Sequence, residues 1–98
     1  MKTVATVLAF WGLQDARVSL IANRENAVYR VDDREGTYAL RLHRSGYRTA
    51  RELESELHWM AAVSKWGLSV PKPIPSLDGA LLHVADGVHV DLLTWLDG

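Results

Sequence analysis

The sequence predicts an α+β domain: a five-stranded antiparallel sheet with an N-terminal helix and one long helix packed on it. Three observations carry that expectation. Short β-rich runs alternate apolar and polar residues with a period of two, whereas the stretch from about Thr49 to Lys65 repeats its apolar residues with the helical period. Turn clusters at Asp32-Asp33-Arg34-Glu35-Gly36, Ser76-Leu77-Asp78-Gly79 and Asp86-Gly87 punctuate the strand-like runs. Tight turns join antiparallel strands, because a parallel pair needs a long crossover.

The elements follow in order. The apolar run Val4 to Leu13 reads as a short amphipathic helix. No small-x-small cleavage site follows it, so it is not read as a secretory signal, and it falls short of the roughly 20 apolar residues that cross a bilayer. The tripeptide Trp11-Gly12-Leu13 recurs as Trp66-Gly67-Leu68. Glycine just past a last helical turn takes the left-handed conformation and the next residue packs back on the helix, so both copies mark helix C-termini. Their flanks differ, which argues against an internal repeat. Arg17 to Ala22 and Ala27 to Asp32 read as strands, and Thr37 to His43 returns beside the second across a bulged or longer loop. After Ser45-Gly46-Tyr47 comes the long helix. Pro71-Lys72-Pro73-Ile74-Pro75 then forbids helix and keeps the chain extended. Two strands, about Ala80 to Val84 and Val88 to Trp95, complete the sheet.

Composition narrows the function. A chain of 98 residues is one small domain with a sufficient but modest core. Its 11 Lys+Arg against 12 Asp+Glu lack the electrostatic footprint of a nucleic-acid or anionic-membrane binder, so any anion site must be local. The absence of cysteine removes disulfides and thiolate chemistry and fits a reducing cytoplasm. His43, His58, His83 and His89 are scattered without metal-ligand spacing, so no metal site is expected.

The long helix separates a decorative acid from a functional one. With Leu53 at zero and roughly 100° per residue, Leu57 falls near about 40°, Met60 about 340°, Val63 about 280°, Trp59 about 240° and Glu56 about 300°. Glu56 is therefore expected inside the apolar stripe, where an ionised carboxylate costs several kcal/mol unless a cation answers it. Arg41 is the candidate, since Thr37, Ala39, Arg41 and His43 share one strand face and Tyr38, Leu40 and Leu42 the other. The alternative is a snorkelling Arg41 with Glu56 at the ragged edge of its helix.

At these residues the chain resembles a known family. Tyr38-Ala39-Leu40-Arg41 is similar to the V-A-I-K strand of protein kinases with arginine in place of lysine. The string Glu25-Asn26-Ala27-Val28-Tyr29-Arg30-Val31, then Tyr38 to Arg44, then Ser55-Glu56-Leu57-His58-Trp59-Met60, resembles the aminoglycoside phosphotransferase and homoserine-kinase-like family. So do Gly67-Leu68-Ser69-Val70-Pro71-Lys72-Pro73, Asp78-Gly79 and Leu92-Leu93-Thr94-Trp95-Leu96-Asp97-Gly98. The resemblance covers nearly the whole chain and favours the Arg41 and Glu56 pairing.

What the resemblance implies is a kinase small lobe covering ATP from above. Arg41 would touch the α- and β-phosphates and Glu56 would position it. Ala39 and Val28 would line the adenine roof, and Leu92 to Trp95, with Leu93 and Trp95, would be the hinge that bonds the adenine edge. Asn23 and Asn26 stand where a protein kinase has loop glycines, and asparagine tolerates left-handed backbone better than most residues. His89-Val90-Asp91-Leu92 imitates the start of a catalytic loop, but Leu96 stands where that motif requires asparagine, so Asp91 is read as a strand residue.

The implied parent reaction is transfer of the ATP γ-phosphoryl group to a hydroxyl of a small polar acceptor, in the cytoplasm. Residues 1–98 would be the small lobe, with no catalytic residue of its own, and magnesium would be held through a missing C-terminal lobe. The alternative is a non-catalytic kinase-like module that binds a partner chain through the face a large lobe would cover. An unrelated α+β domain is the blandest reading. Neither nucleic acid nor membrane is expected as a partner. A second copy is, because the strand Val88 to Gly98 is read as an open edge, which would make the chain a homo-oligomer.

Overall fold

A computed structural model describes residues 4–23, 26–43, 48–67, 69–85 and 87–95. The chain runs α1 (Val4–Leu8) with a 3-10 turn (Ala9–Trp11), β1 (Arg17–Asn23), β2 (Asn26–Asp33), β3 (Gly36–His43), α2 (Ala50–Ser64), β4 (His83–Ala85) and β5 (Val88–Thr94). The five strands form one sheet in the order β1-β2-β3-β5-β4, every neighbouring pair antiparallel. The expected α+β architecture is the one observed. No described helix is long and apolar enough to cross a membrane.

The two faces of the sheet are divided between the two helices. Val31, Leu40, Val90 and Leu92 share one face and pack with Val7, Leu8 and Trp11 of the N-terminal segment. Ala39 and Leu93 lie on the other, where Leu57 and Met60 of α2 cover them together with Leu81 and Leu82. Period-two alternation along β3 and β5 creates this division, so one strand feeds both cores. Leu40 and Leu92 are fully buried on the first face, and Leu53 and Leu57 of α2 are fully buried as well.

Helix boundaries have local causes. The N-terminal helix is shorter than the run Val4 to Leu13 because it tightens into the 3-10 turn and stops at Gly12, whose φ is 72°. Gly12 N–H donates to the Ala9 carbonyl and Leu13 N–H to the Leu8 carbonyl, each at 3.0 Å, the paired bonds of a Schellman ending. Gly67, with φ 82°, closes the second copy with a bond to the Ser64 carbonyl, while Leu68 lies outside the described residues. At the start of α2, Thr49 accepts from Glu52 N–H and the Glu52 carboxylate accepts from Thr49 N–H, a reciprocal capping box.

Four expectations need correction. The β2–β3 connection is the two-residue turn Arg34-Glu35, since Asp33 already pairs with Gly36. β1 does not alternate cleanly, because its register slips between Leu20 and Ala22 and leaves Ile21 exposed. β4 begins at His83 rather than Ala80, because Ala80 is spent on the Ser76–Gly79 turn: its carbonyl accepts from Ser76 N–H and its N–H donates to Asp78. Most consequential, β5 is not an open edge. It lies between β3 and β4, and beyond β4 the prolyl segment runs along it. Ile74 N–H donates to Leu92 C=O at 2.8 Å and Thr94 N–H to Lys72 C=O at 2.9 Å, with Pro73 bridging opposite Leu93. The expected route to a second copy through β5 therefore fails, and the long exposed edge is β1.

The conformation of Gly12 yields a test. A Cβ there meets only the Leu77 side chain, at 3.5 Å, so Gly12→Ala suffers from φ rather than from crowding. It should lose about 1 kcal/mol in urea denaturation, the usual cost of a left-handed alanine. Gly36→Ala, where φ is ordinary and the nearest atom is Tyr38 Oη at 3.6 Å, should stay within about 0.5 kcal/mol of the native chain.

Candidate functional site: a cation held on the sheet face beneath α2

Strand register assembles the site in rows. Arg41 of β3 stands between Val28 of β2 and Asp91 of β5; Ala39 stands between Arg30 and Leu93; His43 stands between Asn26 and His89. All of these side chains belong to the face that α2 covers, because cross-strand partners project to the same side. The hairpin β2–β3 and the distant β5 thus bring a cation, a carboxylate and a small apolar surface together, and α2 adds a second carboxylate.

Arg41 is the centre. Its Nε donates to Asp91 Oδ1 at 2.7 Å and its Nη2 to Asp91 Oδ2 at 3.0 Å, a two-point grip. Nη2 also donates to Glu56 Oε1 at 3.0 Å, which ties β3 to α2. The second Glu56 oxygen meets Arg48 at 3.3 Å. His43 Nε2 lies 2.7 Å from Asp91 Oδ2, and since a carboxylate only accepts, that nitrogen carries the hydrogen. The Arg41 and Glu56 pairing is therefore present, but the greater share of the fork goes to Asp91.

Burial ranks the partners. The Asp91 side chain is 0% exposed, Arg41 14% and Glu56 31%. Burial alone lowers the hold of Arg41 on its proton, but the bonds and charge of Asp91, then those of Glu56, outweigh it and keep the guanidinium charged. For Glu56 burial pushes the carboxyl up, and the charge and bond of Arg41, followed by Arg48, overcome this and hold it below the ordinary value of 4.5. Glu56 is thus at the border of the helix stripe rather than in its middle. The apolar stripe itself is narrower than its angles imply, for Leu53, Leu57 and Met60 are buried while Trp59 is 61% exposed.

The other expected site residues fall around this centre. Ala39 and Val28 are partly buried neighbours of Arg41, and Leu93 is 4% exposed under α2. Trp95 lies at the outer end of β5 with the Arg30 guanidinium 5.1 Å above its ring. Asn26 pairs in register with His43 at the start of β2, and Asn23 ends β1 opposite Ala27. The tip between them, residues 24–25, lies outside the described residues, as do 44–47 and 96–98. In the expected hinge, Leu92 C=O and Thr94 N–H are already bonded to Ile74 and Lys72, so they are not free for a ligand edge. Among the described residues no cluster of three His, Asp or Glu is arranged to hold a metal.

Asp91 and His43 are the residues that sequence reasoning missed. The signal was an acid in the middle of the apolar strand Val88–Thr94, two residues before Leu93 and so on the same face. Its attribution to an imitation catalytic loop obscured that. The structure confirms the strand, and the buried carboxylate is a partner of Arg41 rather than a base open to solvent.

Two tests follow from the ranking. Asp91→Ala removes the fully buried partner of Arg41 and should cost about 3–5 kcal/mol, whereas Glu56→Ala, at a part-exposed pair, should cost about 1 kcal/mol; equal losses in chemical denaturation would refute the ranking. Because the folded Glu56 lies below its ordinary 4.5, its contribution is complete above that value and lost as pH falls through the folded one. Glu56→Gln should therefore be less stable than the native chain at neutral pH and converge with it in acid.

Comparison with known proteins agrees with this geometry. An uncharacterized protein of Deinococcus radiodurans is 34% identical over 79 residues, 81% of this chain and 23% of the relative. Amicoumacin kinase of Bacillus subtilis is 30% identical over 78 residues, 80% of this chain and 23% of the relative. The chain therefore spans about a quarter of the length of these curated relatives, 23% in each case. Among solved structures, a microcompartment-associated aminopropanol kinase superposes with a TM-score of 0.83 at 32% identity, covering 94% of this chain and 30% of the other. Amicoumacin kinase hAmiN in complex with AMP-PNP, Ca2+ and Ami gives 0.85 at 22% identity, covering 95% and 30%. Spectinomycin phosphotransferase in complex with ADP and spectinomycin gives 0.69 at 15% identity, covering 95% and 28%. At those identities the last two speak for the fold alone. A family model described as the phosphotransferase enzyme family, APH, matches residues 17–98, and the chain belongs to that family of small-molecule kinases.

Proposed function

We propose that residues 1–98 form the ATP-binding small lobe of a kinase that transfers the γ-phosphoryl group to a hydroxyl of a small polar acceptor. The observation that supports this most directly is the cation of β3 held by a carboxylate of α2 at 3.0 Å, with the small side chain of Ala39 two residues before it on the same face. A fixed cation beside a shallow apolar surface suits a nucleotide: Val28 and Ala39 meet the flat base, and Arg41 meets the phosphates. ATP, when bound, supplies the phosphoryl group. The part of this chain is to hold and orient it.

Each residue has a role in this reading. Glu56 and Asp91 set the direction of the Arg41 fork. Leu93 closes the inner end of the base slot under α2, and Trp95, braced by Arg30, forms its outer lip. Asn23 at the end of β1 and Asn26 at the start of β2 lie toward the phosphates. The catalytic base, the magnesium ligands and the acceptor pocket belong to chain outside these residues. Work on ATP places the reaction in the cytoplasm.

In this reading the isolated lobe binds ATP weakly and does not turn it over, because one wall of the slot and the metal ligands are elsewhere. Amide and methyl NMR of the 98-residue chain should show millimolar ATP shifting Val28, Ala39, Arg41 and Leu93, with no release of phosphate. No shifts, or shifts confined to the α1 face around Leu40 and Leu92, would refute the nucleotide site. Magnesium-dependent turnover abolished by Asp91→Asn would refute the division of labour.

A further inference from the structure

We infer that Asp91 is a positioning residue for the phosphate-binding cation, and that it restricts Arg41 to meeting a phosphate through Nη1 alone. The inference rests on the nucleotide reading above and adds to it a residue outside the strand cation and helix acid pair.

The argument is an inventory of hydrogens. A guanidinium has five N–H donors in a planar fork. The Nε hydrogen goes to Asp91 Oδ1 at 2.7 Å, and Nη2 serves Asp91 Oδ2 and Glu56 Oε1, each at 3.0 Å. That uses three of the five. Nη1 bonds to no described residue, so its hydrogens are the ones left for an incoming oxygen. Asp91 cannot yield its share easily: its side chain is 0% exposed, and without Arg41 its one partner among the described side chains would be His43, at 2.7 Å. The carboxylate thus acts as a fixed anchor, and the fork it grips leaves the Nη1 hydrogens outside the grip.

This arrangement explains why arginine occupies a position where lysine is the commoner choice. A lysine offers one nitrogen, which a buried Asp91 would draw inward and away from a phosphate. Arginine can satisfy the carboxylate with one edge and still present another. Arg41 and Asp91 are therefore exchangeable as a pair rather than singly. A competing role for Asp91, simple neutralisation of the cation, predicts the opposite response, because removing its charge would then strengthen the attraction of Arg41 for ATP.

The test compares ATP with adenosine, which share the base slot and differ in phosphate. NMR titrations of the 98-residue chain measure both affinities for the native protein, Asp91→Asn, Arg41→Lys, and Arg41→Lys combined with Asp91→Leu. The native chain should prefer ATP. Asp91→Asn should reduce that preference by about tenfold, the effect of misaligning one charge-assisted bond, with adenosine affinity unchanged. Arg41→Lys should reduce it similarly, and the double variant should regain most of it. Should Asp91→Asn fail to fold, the Arg41 side-chain signals of the native chain decide the matter: ATP should move Nη1 and leave Nε in place. If neither nucleotide perturbs the native chain, the nucleotide reading fails and takes this inference with it. If adenosine binds as well as ATP, if Asp91→Asn leaves the preference unchanged or raises it, or if ATP shifts Nε as much as Nη1, the nucleotide reading stands and the positioning role of Asp91 is overturned.

Discussion

A carboxylate with no contact to water sits in the middle of the fifth strand, and much of the site's geometry is an answer to it. Asp91 is tolerable only because Arg41 and His43, both from β3, meet its two oxygens. That demand fixes the register of β3 against β5, since a shift of one residue would turn Arg41 to the opposite face and leave the acid unpaired. It also fixes the direction of the guanidinium, and through Glu56 the seat of α2. One buried charge thereby specifies a strand pairing, a helix position and the orientation of the Arg41 cation.

The sheet makes this possible by keeping two cores apart. Val31, Leu40, Val90 and Leu92 pack with the N-terminal segment on one face, so the opposite face need supply only a small cluster around Leu57, Met60 and Leu93. The rest of that second face remains polar and partly open.

The prolyl segment links the two sides. Trp11 Nε1 donates to the Ile74 carbonyl at 2.7 Å, while Ile74 N–H and the Lys72 carbonyl bond to Leu92 and Thr94. Proline suits this place because Pro73 has no N–H to contribute, and its neighbours carry the bonds. The end of β5, where the base of a nucleotide would meet the backbone, is thus braced by the N-terminal segment from the far side of the sheet. His83 adds to the bracing, stacked on Phe10 at 4.2 Å and bonded to Ser76.

Local rules were sufficient for much of this molecule. Alternation placed Ala39 and Arg41 on one face and Leu40 on the other; glycine at a helix end placed the stop at Gly12; and proline kept residues 71–75 extended. Each depends on neighbours a few residues away, which a sequence displays directly. What only the tertiary structure decided depends on chain segments that meet across long separations. Arg41 and Asp91 are 50 residues apart, and no spacing rule connects them. The same holds for β5, which looked like an exposed edge until the prolyl segment and β4 were seen beside it. Helical angles put Glu56 within the apolar stripe, but which arc of that stripe is covered depends on the sheet beneath it, and there Glu56 lies at the border with Arg48 on its outer side. The sequence by itself determined the elements and the cation; the tertiary structure decided which acid holds it, because a buried charge takes its partner from whatever strand the fold lays alongside.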